Sequence, residues 1–197
     1  MIKDKSVYKR NTFYNIEFII TVKSKYRFKV IFVGPPAVGK TTIIKTAAGQ
    51  KWKHEYISTI GFNIFTIKRE FSQHIIELLI YDLGGQERFR TIHKSFYPGA
   101  HVTVFCFDVS EPESLDELPS WKKDRDLYIE RPSVYDVLVG NKIDLEMKIP
   151  LEKGEEMREK LECDEFILTS AKTGKNIDLL FGKIFNALST YIREKLS

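Results

Sequence analysis

A glycine-rich segment, Gly34–Thr41, sets two glycines around four intervening residues and follows them with a lysine and a threonine. This spacing is typical of a phosphate-binding loop, and the segment lies between a predicted strand and a predicted helix. Backbone N–H groups at a helix N-terminus bind phosphate, and Gly34 and Gly39 allow the chain to wrap tightly around it. Lys40 is expected to contact the terminal phosphates, and the Thr41 hydroxyl is expected to ligate Mg²⁺.

This phosphate-binding segment, the P-loop, contains Pro35 and Pro36, which have no N–H to donate. The donors to phosphate are therefore expected mainly downstream of them. The predicted phosphate-binding residues are Gly34, Ala37, Val38, Gly39, Lys40, Thr41 and Thr42. Taken alone, the segment also fits an ordinary Gly/Pro turn, and it does not distinguish ATP from GTP.

An Asn-Lys-x-Asp motif, the base loop Asn141–Asp144, follows the hydrophobic segment Tyr135–Gly140. The Asp144 carboxylate can accept two parallel hydrogen bonds, from the ring N–H and from the exocyclic amine of guanine. Adenine would leave this carboxylate facing a lone pair, which is costly in a buried site. Asp144 is therefore predicted to select guanine. The Lys142 stem is expected over the base plane, and Asn141 is expected to tie this loop to the P-loop.

A further polar stretch, Ser170–Lys172, follows the predicted strand Glu165–Leu168. The Ala171 N–H is placed to contact the guanine carbonyl oxygen, and Trp52 is predicted to stack on the base. The predicted base-binding residues are Trp52, Asn141, Lys142, Asp144, Ser170, Ala171 and Lys172. Asn-Lys-x-Asp alone is compatible with a turn, but the order of the three motifs favours a guanine site. A kinase or ATPase that uses ATP is the alternative, and Asp144 argues against it.

The hydrophobic segment Ile75–Tyr81 ends in the sensor loop Asp82–Gln86. Asp82 is expected to hold a Mg²⁺-bound water, and Gly85 is expected to present its N–H to the γ-phosphate. Gln86 is expected to orient the attacking water. The predicted catalytic residues are Gln86, Lys40 and Thr59, and the predicted metal residues are Thr41, Thr59 and, through water, Asp82.

Two loops, around Thr59 and Gly85, are predicted to be tethered to the same γ-phosphate. Hydrolysis would remove that anchor, and both loops would relax. Arg88 and Arg90 are expected to face solvent or a partner rather than the phosphates. We therefore predict slow intrinsic hydrolysis, which a partner accelerates by supplying a cation. The alternative is a binding module that stays loaded with GTP.

Short β-branched segments alternate with helical patterns along the chain, which predicts an α/β fold with a mostly parallel sheet covered on both faces. The predicted strands are Phe28–Val33, Ile75–Tyr81, Val102–Asp108, Tyr135–Gly140 and Glu165–Leu168. The predicted helices are Lys40–Ala48, Ser114–Tyr128, Glu152–Leu161 and Ile177–Leu196. Ligands of such sheets bind beyond the carboxyl ends of the strands, where the motifs above fall.

The predicted domain occupies residues 26–197, preceded by an extension, residues 1–25. Alternating apolar residues predict an extra strand over Thr12–Val22. Residues 1–29 contain eight Lys or Arg and two acidic residues. Such a segment could contact anionic lipid or nucleic acid, although we favour a solvated terminus and expect no nucleic acid partner.

Cys106 lies in an apolar segment and is predicted to be a buried thiol rather than a disulfide partner. No apolar segment approaches the about 20 residues of a membrane span. Ile2 after Met1 argues against myristoylation, and the C-terminal residues argue against prenylation. The histidine spacing is not that of a metal site, so the histidines are interpreted as packing or surface residues. We expect a cytoplasmic protein, with peripheral membrane contact left open.

From Arg27 to Arg193 the chain resembles the Ras superfamily of small GTPases, and most closely its Rab branch. Tyr56–Gly61 is similar to the Rab switch I segment. Gln86–Ile92 and Phe96–Ala100 are similar to Rab switch II and the segment that follows it. The resemblance implies a Ras-like P-loop NTPase fold with a six-stranded sheet. It also implies a GTP/GDP- and Mg²⁺-dependent switch in vesicle trafficking or membrane-associated signalling.

By the same resemblance, Trp52 matches the aromatic residue that stacks on guanine, and Tyr56 matches the tyrosine that closes over the phosphates. Ile64, Tyr81 and Phe96 match the hydrophobic triad through which Rabs bind effectors. Exchange and activating proteins are implied as further partners. Two features differ from the usual Rab pattern. Asp82–Gly85 is similar to the Arf sequence, and Pro36 stands where bulk obstructs an incoming arginine finger.

Overall fold

The computed structural model describes residues 23–50, 59–129 and 134–196. The strands are β1 (Ser24–Val33), β2 (Phe62–Glu70), β3 (His74–Leu83), β4 (Val102–Asp108), β5 (Tyr135–Asn141) and β6 (Glu165–Leu168). The α-helices are α1 (Lys40–Ala47), α2 (Arg90–His93), α3 (Pro112–Asp116), α4 (Leu118–Asp126), α5 (Leu151–Lys160) and α6 (Ile177–Leu196). A 3₁₀ turn over Glu87–Phe89 leads into α2.

The six strands form one sheet in the order β2-β3-β1-β4-β5-β6. All neighbouring strands are parallel except β2, which runs antiparallel to β3. The predicted α/β fold with a mostly parallel six-stranded sheet is therefore confirmed. Because the five parallel strands end at one edge, the segments that follow them lie together there.

Two hydrophobic layers cover the sheet, one on each face. One layer contains α1 and α6. The buried stripe of α6 includes the residues predicted from the sequence: Ile177, Leu180, Phe181, Ile184, Phe185 and Leu188. The other layer is centred on Trp121 of α4, which is fully buried among residues of β1, β4 and β5. Cys106 is also fully buried, as predicted. Within the described residues, no helix is both long and apolar enough to traverse a bilayer.

Two elements differ from the sequence prediction. The single helix predicted over Ser114–Tyr128 is instead two helices, α3 and α4. Pro119 accounts for the break, because it has no N–H to donate to the carbonyl of Leu115 in a continuous helix. The strand β2 was not predicted, because its apolar residues fall on both faces: Phe62 and Ile64 are exposed, whereas Phe65 and Ile67 are half-buried.

The predicted boundary between residues 25 and 26 falls inside β1, which begins at Ser24 and pairs from there with His74 of β3. The extra strand predicted over Thr12–Val22 lies outside the described residues, as does His54. The other histidines pack within the domain. His74 shares a hydrogen bond with the Ser189 hydroxyl, and His93 lies against Trp121.

Candidate nucleotide-binding site

The P-loop closes over the carboxyl end of β1 in a conformation that depends on its glycines. Gly34 has a φ of 131°, and a Cβ there would collide with the Cys106 carbonyl. Gly39 has a φ of 98°, and a Cβ there would collide with the Asn141 side chain. Ala37 also has a positive φ of 61°, which the sequence did not indicate.

The first residues of α1 follow directly, and helix geometry leaves the N–H groups of Lys40, Thr41 and Thr42 without intrahelical acceptors. The earliest backbone bond of the helix joins the Ile43 N–H to the Gly39 carbonyl at 2.9 Å. Free N–H groups at the N-terminus of α1, where the helix dipole is positive, therefore lie at the carboxyl edge of the sheet. This arrangement is typical of phosphate-binding sites.

Lys40 is buried within the P-loop and donates to the carbonyls of Gly34 and Pro35, each at 2.7 Å. Burial lowers the pKa of Lys40, whereas the nearby Asp82 carboxylate raises it. An ammonium group has three N–H donors, so within residues 23–50, 59–129 and 134–196 one remains after the two carbonyls are satisfied. The P-loop thus holds this cation in place with one donor available for an anion.

Three oxygen-bearing side chains meet beside Lys40. The Thr41 hydroxyl donates to Asp82 Oδ2 at 2.5 Å and lies 2.9 Å from the Thr59 hydroxyl. Thr59 in turn donates to the same Asp82 oxygen at 3.4 Å. The structure therefore brings together the three residues predicted at the metal, which come from α1, the segment before β2, and β3.

The donor set fits Mg²⁺, which prefers hard oxygen ligands and keeps several waters. Asp82 is fully buried, and its second oxygen, Oδ1, has no hydrogen-bond partner within the described part of the chain. Burial raises the pKa of Asp82 above its ordinary value, although the hydrogen bond from Thr41 and the positive charge of Lys40 each lower it. A buried carboxylate with an unused oxygen is suited to a cation or to water held by one.

The sensor loop contacts both neighbouring loops of the site. The Gly84 N–H donates to the Gly61 carbonyl at 2.9 Å, which joins the sensor loop to the segment that carries Thr59. Gly85 lies against the backbone of Pro35 and Pro36 so closely that a Cβ there would collide with it. The two loops predicted to sense one phosphate are thus in contact with each other and with the P-loop.

Gln86 and the two arginines that follow it have defined partners. The Arg88 Nε donates to Gln86 Oε1 at 2.8 Å. Arg90 lies over the Trp121 ring at 4.4 Å and donates to the Ser120 hydroxyl at 3.0 Å. The expectation that both arginines face solvent or a partner is therefore wrong for Arg90, because its guanidinium packs on α4.

Asn141 joins the base loop to the rest of the site. Its Nδ2 donates to the Val38 carbonyl at 2.9 Å, as the sequence indicated. Its Oδ1 accepts hydrogen bonds from the Thr169 hydroxyl and from the Ala171 N–H, both at 3.1 Å. Because Ala171 already donates to Asn141, a guanine oxygen would share that N–H.

Asp144 and the segment after β6 border what we call the base opening, where Asp144 Oδ1 accepts from the Ser170 hydroxyl at 2.5 Å. Lys172 Nζ lies 3.7 Å from Asp144 Oδ2. Lys142 adopts a positive φ of 70° and pairs with Asp108 at 2.5 Å. The structure thus brings the predicted base-binding residues it describes to one opening.

Two contributors to this opening were not predicted. Asp108, at the end of β4, accepts from Lys142 and from both the N–H and the hydroxyl of Ser110. Thr169 donates to Asn141. The sequence does contain a signal for Asp108, because it is an acidic residue at the carboxyl end of the hydrophobic strand β4, which pairs with β5. Trp52 and Tyr56 lie outside the described residues, so their predicted contacts remain predictions.

Fold and site together define a P-loop nucleotide-binding protein of the α/β class. A family model described as "Ras family" matches residues 29–190. The chain therefore belongs to the Ras family. It is a small GTPase close to the Rab branch, as the sequence predicted, and members of this family hydrolyse GTP.

Three relatives are similar over most of the chain. The Ras-related protein RabC of Dictyostelium discoideum is 32% identical over 158 residues, which is 78% of this chain and 80% of the relative. The Ras-related protein RABD2a of Arabidopsis thaliana is 35% identical, covering 87% of this chain and 83% of the relative. The Ras-related protein RIC1 of Oryza sativa subsp. japonica is 35% identical and covers 84% of each.

Proposed function

We propose that the protein binds GTP and GDP with Mg²⁺, hydrolyses GTP slowly, and recruits effectors while GTP is bound. The observation that carries this proposal is the cluster of Thr41, Thr59 and Asp82 oxygens beside the buried Lys40. The Thr59 hydroxyl, from a separate loop, lies 2.9 Å from the Thr41 hydroxyl at the end of the P-loop, which supports a cation and phosphate site shared by both loops. The relatives' names support a switch of the Rab kind. We propose that it acts in vesicle trafficking or membrane-associated signalling.

In this proposal the phosphates lie against the N-terminus of α1. Gly34, the backbone from Ala37 to Thr42 and the third N–H of Lys40 bind them. Thr41 and Thr59 would hold Mg²⁺ directly, and Asp82 would hold it through water. When bound, Mg²⁺ neutralises charge on the phosphate oxygens. The Gly85 N–H, on the loop that lies against Pro35 and Pro36, would donate to the γ-phosphate.

The chain's own part in hydrolysis is to position water and stabilise charge. Gln86 orients the attacking water with its side-chain amide. Arg88 holds that amide, and Arg90 is stacked on α4, so both arginines are engaged elsewhere in this conformation. We therefore infer slow intrinsic turnover and acceleration by an activating protein that supplies a cation.

Base selection in this proposal falls to Asp144, which the Ser170 hydroxyl orients. Lys142 and Trp52 cover the two faces of guanine, and Ala171 and Lys172 line its carbonyl edge. Asn141 keeps this opening in register with the P-loop. Tyr56 closes over the phosphates, as the Rab resemblance implies.

Effectors would bind the patch formed by Ile64, Tyr81 and Phe96. Ile64 is 53% exposed, and the Tyr81 and Phe96 rings lie 5.7 Å apart between centroids. Phe62 extends the patch, since its ring lies 4.3 Å from that of Phe96. Exposed apolar clusters of this kind mark protein interaction sites.

Single-turnover hydrolysis of radiolabelled GTP tests the proposal, with Gln86→Ala as the key variant and the exposed Gln73→Ala as its matched control. We expect Mg²⁺-dependent release of phosphate that Gln86→Ala slows by about tenfold or more and Gln73→Ala leaves unchanged. Competition between GTP and ATP for the site tests base selection. Preference for ATP would refute the guanine assignment, and bound GTP that never turns over would favour a GTP-loaded binding module.

A further inference from the structure

Three partly exposed cationic side chains converge on one buried carboxylate of the sheet, at the part of one face formed by β1, β3 and β2. Glu77 of β3 is 5% exposed, and its oxygens lie 2.6 Å from Arg27, 3.1 Å from Lys68 and 3.2 Å from Lys25. The cations themselves are 40% to 58% exposed. Since one carboxylate balances only one of them, the cluster keeps an excess of two positive charges.

Strand register explains why these residues share a face. Arg27, Glu77 and Lys68 occupy one row across β1, β3 and β2. Alternate residues of a strand point to the same side, which puts Lys25 and Lys29 of β1 on that side as well. We call Lys25, Arg27, Lys29 and Lys68 the basic patch.

The basic patch is continuous with the apolar patch of Ile64, Tyr81 and Phe96. Lys29 joins them, because its ammonium lies 4.7 Å from the centre of the Tyr81 ring and donates to the Pro98 carbonyl. Tyr81 and Glu77 are both on β3, four residues apart. At the rise of a strand, the two patches are centred about 13 Å apart.

We propose that the basic patch binds an acidic segment of the effector, one that follows the apolar residues seated on Ile64, Tyr81 and Phe96. Charge complementarity identifies the partner as a carboxylate-rich peptide segment. Glu77 engages Arg27 through Nε, so among the residues that the structure describes the Nη groups remain as a pair of donors suited to a second carboxylate. This inference rests on the proposed effector surface, which it extends away from the nucleotide.

The arrangement favours a protein segment over a lipid surface. Ion pairs with Glu77 hold the three cationic side chains in defined positions, whereas attraction to anionic lipid needs no such order. Rim charges of this kind mainly govern association rate and salt dependence. Binding through the basic patch should therefore weaken steeply as salt is raised.

The test uses the full chain loaded with a non-hydrolysable GTP analogue or with GDP, and fluorescence anisotropy with two labelled probes. One probe is decaglutamate, and the other is decaglutamate preceded by a Trp-Leu-Leu anchor. The patch variant is Lys25→Gln/Lys68→Gln, which keeps the Arg27–Glu77 ion pair and therefore the fold. The matched control is Lys153→Gln/Lys160→Gln, on the exposed face of α5.

We expect the patch variant to bind decaglutamate about tenfold more weakly at low salt, and the control variant to bind as the wild type does. Equal binding by wild type and patch variant would overturn the inference. So would loss of binding to vesicles with about 30% phosphatidylserine while decaglutamate binding is unchanged, because a lipid surface would then be the ligand.

The anchored probe separates this inference from the proposed function. If the anchor tightens binding only in the GTP-analogue form, both hold. If it tightens binding equally in both nucleotide forms while the patch variant still weakens decaglutamate, the basic patch stands and the nucleotide-dependent effector surface fails.

Discussion

The Nδ2 of Asn141 donates to the Val38 carbonyl at 2.9 Å, so a single buried amide joins the base loop to the P-loop. The same side chain accepts from Thr169 and Ala171, which belong to the segment after β6. Three loops that we propose bind different parts of a nucleotide are thereby held in one geometry. In the proposed complex, Asn141 is therefore a main determinant of where the base lies relative to the phosphates, together with the hydrogen bond from the Thr46 hydroxyl to the Ala171 carbonyl.

Asn141→Ala should therefore speed nucleotide release strongly. The substitution leaves the Val38 carbonyl, the Thr169 hydroxyl and the Ala171 N–H without their partner, at about 1–3 kcal/mol each where they stay buried. We expect a fluorescent GDP analogue to dissociate about a hundredfold faster. Asn186→Ala, on the exposed face of α6, should not change the rate. An unchanged rate in a stably folded Asn141→Ala would contradict this account.

Asp144→Asn should exchange guanine for xanthine. The amide presents a donor where the carboxylate presented an acceptor, and xanthine carries an oxygen where guanine carries its amine. GTP affinity should fall by about two orders of magnitude or more, and affinity for xanthosine triphosphate should rise. Ser170→Ala removes only the hydroxyl that orients Asp144, so it should weaken GTP without changing the preferred base. Isothermal titration with each nucleotide measures both, and retained preference for GTP in Asp144→Asn would refute the role of Asp144.

Gly85→Ala should impair hydrolysis while leaving GDP binding nearly intact. A Cβ at Gly85 would collide with the backbone of Pro35 and Pro36, which forces the sensor loop away from the P-loop. Overpacking of this kind costs about 1–3 kcal/mol, or roughly tenfold to a hundredfold in rate if the contact is made in the transition state. Gly182→Ala is the control, because only the end of Arg69 lies near its Cβ. Single-turnover hydrolysis equal to that of the wild type would show that the sensor loop need not approach the P-loop.

Local patterns were sufficient to predict several parts of the structure. The stripe on α6 and the sequence Gly34–Thr41 depend on short-range spacing, which the sequence displays directly. Asn141 could be placed against the P-loop because parallel strands bring their carboxyl ends to one edge. Asp82, Thr41 and Thr59 could be grouped because their chemistry requires a shared cation.

Contacts between distant elements were not accessible in the same way. Nothing near Arg90 indicates that it stacks on Trp121, because that contact depends on how α2 packs against α4. The edge strand β2 was missed, since its apolar residues fall on both faces and only its pairing with β3 shows that it is a strand. The convergence of Lys25, Arg27 and Lys68 on Glu77 likewise needs the register of three strands.

Glu77 should make stability depend on pH in the acid range. Burial alone would raise its pKa, but hydrogen bonds from Arg27, Lys68 and Lys25 outweigh burial and lower the pKa from 4.5 to about 2. Because the folded-state pKa is depressed, the stabilisation is complete above the unfolded value of 4.5 and is lost as pH falls towards 2. Wild type should exceed Glu77→Gln in urea-unfolding free energy at neutral pH, and the gap should close across this window. A gap that stays constant down to pH about 2 would mean that Glu77 is not ionically stabilised.

Arg88→Ala should accelerate intrinsic GTP hydrolysis. Arg88 Nε donates to Gln86 Oε1 at 2.8 Å, and that oxygen is the acceptor Gln86 needs in order to orient the attacking water. An exposed hydrogen bond of this type contributes about 0.5–1.5 kcal/mol, so its removal should raise the single-turnover rate by roughly twofold to tenfold.

The same substitution in a Gln86→Ala background should have no effect, because the group that Arg88 holds is then absent. A double-mutant cycle on the single-turnover rate therefore separates two roles. If Arg88→Ala accelerates hydrolysis only in the protein that retains Gln86, Arg88 restrains Gln86. Equal slowing in both backgrounds would show that Arg88 instead supplies positive charge to the reaction, and the 2.8 Å contact would then be incidental to the slow intrinsic rate.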